Sequence, residues 1–237
     1  MNFGPFVVAC SLPLLLVAAC GGDAVTSIPI DGGGSDAAAD GPALDASTTD
    51  SGITFPDSGA GDPKIVDITF ADKCPDVAAC GGDVVGSWDL SDACVEGVWD
   101  EARKACPTLG VKKQSGTVQG RIVFGPNSLS RAVKFSFSAT LSFPPACLGN
   151  ASCSQVQGIL LKSFNSATCT TATSGCDCDV GSTSTTTGSG ESYSIQGNQL
   201  VGGNGNHFDY CVKGSSMTYR WASGPNPERS SYGLTKK

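Results

Sequence analysis

Before Lys64 the chain contains no lysine or arginine, and in all 237 residues it has a single histidine, His207. The first absence removes any basic arm for nucleic acid from the N-terminal quarter. The second thins the means for acid–base catalysis. There is no G-x-S-x-G elbow, no H-E-x-x-H pair and no P-loop pattern, so the settings that activate a serine, hold a catalytic zinc or cradle phosphates are missing. His207 follows Gly202-Gly203-Asn204-Gly205-Asn206 and reads as a turn histidine. The acids Asp83, Asp89, Asp92, Glu96, Asp100 and Glu101 crowd together in sequence, but a solvated face explains them better than the paired carboxylates of a glycosidase. No enzyme activity and no cofactor are expected. Nor is there an apolar run of the roughly 20 residues a spanning helix needs.

Cysteine, by contrast, is plentiful. Of 12 in the chain, Cys10 lies in, and Cys20 directly follows, an apolar N-terminal stretch, Phe6 to Ala19, which has the length of a signal-peptide core. Leu16-Val17-Ala18-Ala19-Cys20 resembles a bacterial lipobox. The resemblance implies lipid on the Cys20 sulfur, removal of residues 1–19 and a membrane as partner, since two or three acyl chains anchor far more firmly than one. Gly21 stands where Asp favours inner-membrane retention in Gram-negative lipoproteins, so the resemblance points to the outer membrane of the cell envelope. Residues 1–9 lack the usual positive charge; either the signal is atypical or translation starts upstream. The competing reading is an ordinary secretory signal cut near Ala19.

Ten cysteines then remain: Cys74, Cys80, Cys94, Cys106, Cys147, Cys153, Cys169, Cys176, Cys178 and Cys211. An even number delivered to an oxidising compartment reads as up to five disulfides, with connectivity open. Cys147 with Cys153, and Cys169 with Cys176 or Cys178, are the local closures the spacing suggests. Metal is the rival account, but C-x-C at 176–178 lacks zinc-knuckle spacing and His207 is remote. No metal is expected.

Residues 20–63 are a different material, rich in Gly, Ala, Ser, Thr and Asp. Eight aspartates recur, from Asp23 to Asp62, with no base. Such a segment buries too little apolar surface to offset its ordering entropy, and reads as a disordered acidic linker. The formal net charge of −7 comes from this stretch; residues 64–237 carry nearly balanced charge, which leaves no footprint for nucleic acid.

Within residues 64–237 the period is two. Val133, Phe135, Phe137, Ala139, Leu141 and Phe143 alternate with Lys134, Ser136, Ser138, Thr140 and Ser142, the pattern of a long half-buried strand. Val118, Gly120, Ile122 and Phe124 alternate likewise, and Gly125-Pro126-Asn127 joins the two as a hairpin. Strand patterns recur at 84–88, 193–195, 208–212 and 217–221. The interval from Cys94 to Cys106 fits either a helix capped by Ser91, with Val95, Val98, Trp99 and Ala102 on one face, or a disulfide-pinned loop. Gly181 to Gly190 is a polar strand or a loop. The domain is expected to be all-β, an antiparallel barrel of about eight strands, because short connections favour antiparallel pairing and closure removes exposed edges.

Gly86-Ser87-Trp88 on the first strand of such a barrel resembles the G-x-W signature of lipocalins. In that family the Trp packs at the closed end beneath a late Arg, for which Arg220 or Arg229 would stand here. The lipobox, the Gly/Asp/Ala/Ser linker and segments such as Tyr193-Ser194-Ile195-Gln196-Gly197-Asn198 and Tyr210-Cys211-Val212-Lys213-Gly214 are similar to cysteine-rich, lipocalin-like surface lipoproteins of myxobacteria. The resemblance implies a lipocalin-like barrel and a small apolar ligand lined by Trp88, Phe135, Phe137, Leu141, Ile195, Tyr210 and Tyr219. The alternative is that these side chains simply fill the core of a structural or protein-interaction module.

Overall fold

The structure is a computed structural model describing residues 54–56, 61–224 and 229–237. The expected signal segment, Cys20 as the expected lipidation site and most of the expected linker lie outside the described residues.

The described chain is all-β. Ten strands run in the order β1 (Val66–Ala71), β2 (Gly86–Glu96), β3 (Gly110–Phe124), β4 (Ser128–Phe143), β5 (Ser166–Ala172), β6 (Gly175–Gln196), β7 (Gln199–Gly202), β8 (His207–Lys213), β9 (Ser216–Ser223) and β10 (Ser230–Lys236). Three short helices interrupt them: α1 (Asp100–Ala105), α2 (Pro145–Leu148) and α3 (Cys153–Leu160). All strands belong to one mixed sheet, ordered β4-β3-β1-β2-β10-β9-β8-β7-β6-β5, with further pairings of β3 to β2 and of β4 to β6. Every pair is antiparallel except β1 with β2. The expected antiparallel set is therefore corrected by one parallel pair. β1 lies in the notch between β2 and β3, pairing Ile68 with Ala93 on one side and Val66 with Val118 on the other.

The β3–β4 hairpin follows the alternation read from sequence. Phe124 faces Leu129 across the turn, and the ladder continues to Gly110 opposite Ser142. Val133, Phe135, Phe137, Ala139 and Leu141 are all buried. Residues 181–190 are part of β6, the longest strand, whose threonines suit a pleated surface. Residues 91–96 are strand and not helix, because Ala93 and Val95 are buried on β2 against β10 and β1. The only helix near there, α1, starts after Trp99, whose indole Nε1 donates to Gln114 Oε1 at 2.5 Å. Ser152 and Gln155 form a reciprocal capping box that starts α3, which buries Val156 and Leu160.

Two aromatic groups mark the core. Phe137 packs with Phe70, Trp99, Phe164 and Phe135 at centroid distances of 5.7–6.5 Å. Tyr219 stacks on Tyr232 at 5.1 Å and meets Phe208 edge-on at 6.0 Å. All ten remaining cysteines are paired: Cys74–Cys94, Cys80–Cys211, Cys106–Cys147, Cys153–Cys176 and Cys169–Cys178. Of the local closures, Cys169–Cys178 holds, joining residues directly opposite on β5 and β6. Cys147 with Cys153 is corrected. The α2 turn gives Cys147 to Cys106 beyond α1, while Cys153 opens α3 against Cys176 of β6.

Candidate functional site

Trp88 is completely buried, and its indole N–H donates to the Val84 carbonyl at 2.7 Å. A cation does cover the ring, but it is Lys236, opposite Trp88 on β10, with Nζ 5.3 Å from the ring centroid. The two arginines expected in that part stand elsewhere. Arg220 reaches away to Glu96 at 2.5 Å, Asp76 at 2.7 Å and the Cys74 carbonyl at 3.0 Å. Arg229 pairs with Asp100. Alternation explains this: Arg220 points to the face opposite Tyr219.

Phe135, Phe137, Leu141, Tyr210 and Tyr219 are buried alongside Trp88, and of these candidates Tyr219 alone borders the cavity described below. Ile195 is not among them. It is 48% exposed, two residues from the Gly197 turn and beyond the reach of the core. Tyr210 donates to the Gly82 carbonyl at 3.1 Å and Tyr193 to the Gly125 carbonyl at 2.5 Å. Burial, with the Asp83 carboxylate nearby, pushes the pKa of both phenols up.

A cavity of about 10 Å³, room for one water, lies in this core. Leu90, Ile122 and Val133 form its apolar wall, Tyr219 and Tyr232 close it from β9 and β10, and Thr186 of β6 borders it. The remaining lining residue is Arg131, whose side chain is 4% exposed. Its Nε lies 2.8 Å from Glu191 Oε1, yet neither Nε nor Nη1 has a hydrogen-bond partner among the described residues. The contact is one of charge without alignment. Glu191 reaches inward because β6 shifts register there: Arg131 faces Gly188 and Leu129 faces Glu191. A Cβ at position 188 would lie 1.9 Å from the Glu191 carboxylate, so only glycine lets that side chain fold back.

The cavity lies beside a gap. β5 pairs with β6 only as far as Gly181, and β7 begins its pairing at Tyr193. Between them β6 has a strand on one side only, β4; on the other side the Asn165 side chain accepts from the Thr183 amide at 2.6 Å and the Ser192 carbonyl accepts from the Gly203 amide at 2.9 Å.

Several other ionisable groups are engaged. Asp89 takes Arg121 at 2.6 Å and Lys237 at 3.0 Å, Glu96 takes Arg220, and Glu101 takes Lys104 at 2.5 Å. Arg121, wholly buried on β3, also donates to the Gly61 carbonyl at 2.8 Å, while Gln119 donates to that of Pro63 at 2.8 Å. The start of the domain is thereby strapped across β3. His207 Nδ1 is 3.2 Å from Gln199 Oε1, and Gln199 in turn donates to Asp209. Cys176 and Cys178, the thiols of the rival metal reading, are both in disulfides.

Sequence reasoning missed Arg131, although a signal was present: it shares parity with Val133 and Phe135 and so falls on the buried face. Glu191 and Lys236 carried no comparable mark. No family profile, curated protein or solved structure matches this chain.

Proposed function

We propose that this is a membrane-anchored lipoprotein of the bacterial envelope, lipidated on Cys20, whose domain is a lipocalin-like barrel that binds a small molecule in its interior. Support for the barrel comes from the pairing circuit: β2, β3, β4, β6, β7, β8, β9 and β10 each bond the next, and β10 bonds β2. Eight strands enclose an interior that side chains fill or that holds one small ligand. Trp88 under Lys236 is consistent with the G-x-W likeness.

The observation that carries the binding reading is the interior cavity bordered by a buried guanidinium whose Nε and Nη1 have no hydrogen-bond partner among the described residues. A polar group left so is expensive, and native structures keep few of them. The size of the cavity favours a second reading, a structural or interaction module of the envelope with a filled core. Native mass spectrometry of the full chain, purified from membranes before and after organic extraction, separates the two. A reproducible extractable mass beyond the anchor supports binding; a bare protein supports the module. Replacing Cys20→Ala is expected to move the protein from the membrane to the soluble fraction, and retention in the membrane would sink the anchor.

A further inference from the structure

We infer that Arg131 is the ligand-recognition residue of this interior and that it selects a small monocarboxylate, whose acid group takes the place of Glu191; this rests on the binding reading above. A guanidinium is always charged and presents its donors as a fork matched to a carboxylate. Here the fork is buried and poorly used, with Nη1 bare and Nε near Glu191 but out of line with it. Glu191 is a loose occupant. Its side chain is 32% exposed, and it sits on the irregular stretch Gly188-Ser189-Gly190, from which it can swing to water.

Charge and volume both favour exchange over addition. One carboxylate balances one guanidinium, so a second anion beside an intact Arg131–Glu191 pair would leave uncompensated charge in apolar surroundings. The cavity has room for about one water, so an acid group fits only once the Glu191 carboxylate has withdrawn. What the ligand carries behind its acid must be short and apolar, since Leu90, Ile122, Val133 and the Tyr219 and Tyr232 rings surround the site. Thr186, on the stretch of β6 with no strand beyond it, marks the side of entry.

The test uses the full chain in detergent, with butyrate and its neutral isostere butyramide as probes. The Arg131 Nε–Hε resonance is read by NMR and assigned by its loss in Arg131→Lys. Butyrate is expected to shift that resonance saturably and butyramide to leave it unmoved. Glu191→Gln, a change at a partly exposed side chain, removes the competing acid and is expected to tighten butyrate binding about tenfold, as freeing an occupied site does. Arg131→Lys keeps the charge but not the fork, and is expected to abolish butyrate binding measured by calorimetry. Equal responses to the two probes, unchanged affinity in Glu191→Gln or full binding in Arg131→Lys would each overturn the inference. Recovery of an uncharged ligand from native protein that ignores butyrate would overturn it while leaving the binding reading intact. A protein that yields no ligand and ignores both probes would lose both.

Discussion

At the scale of single residues, the buried charges divide into one satisfied pair and one unsatisfied one. Arg121 and Asp89 share two contacts, at 2.6 and 3.2 Å, and each has a further partner in Gly61 or Lys237. Removing one member strands the other, so Asp89→Ala is expected to cost about 3–5 kcal/mol in urea unfolding. Gly175 is the most constrained glycine, with φ +118° and a notional Cβ only 2.0 Å from the Phe143 carbonyl. Gly175→Ala is expected to lose about 2 kcal/mol or more, read as a lowered unfolding midpoint. The two buried phenols give a pH signature. Their folded pKa values lie above the ordinary value, so their contribution is complete below about pH 10 and is lost as pH rises through the folded values. Urea midpoints between pH 9 and 11 are expected to fall, and Tyr193→Phe with Tyr210→Phe to flatten that fall.

At the scale of elements, what the sequence disclosed depended on whether a strand has one apolar face. β4 does, with five apolar residues, Val133 to Leu141, buried at every second position, so its face and its partner β3 could be read directly. β5 does not: of Ser166–Ala172 only Ala167 is buried, and alternation leaves no trace. Much of β6 was equally opaque because threonine serves both faces. The 91–102 segment was ambiguous because Val95, Val98, Trp99 and Ala102 suit a helical face, whereas the claim of β1 and β10 on Ala93 and Val95 is a tertiary fact. Disulfide partners were hidden for the same reason, since Cys80 and Cys211 meet across 131 residues. That separation has a measurable result. By loop entropy, Cys80–Cys211 would contribute about 5 kcal/mol and Cys169–Cys178, nine apart, about 2.5, before allowance for nested cross-links. The double serine variant of the first pair is expected to unfold at lower denaturant than that of the second; the reverse order would show that local geometry at β5–β6 outweighs chain entropy.

At the scale of the whole molecule, four of the five cross-links fasten loops and helices to each other or to strands, and Cys169–Cys178 alone joins two strands. Intact mass measured before and after reduction is expected to differ by about ten hydrogens, and peptide mapping to return the five pairs described. A topology of non-local pairings folds slowly. Refolding of reduced chain in a thiol buffer is therefore expected to lag far behind refolding of oxidised chain, a contrast that stopped-flow tryptophan fluorescence can record. The mechanical consequence lies in the Arg121–Asp89 pair. It grips the entering chain through the Gly61 carbonyl and the departing chain through Lys237. A pull arriving along the N-terminal side is thus delivered first to β3, which is bonded to β1, β2 and β4. The domain takes strain at a strand bonded to three others, and Arg131, paired with Ile122 next to Arg121, lies on the strand directly beyond it.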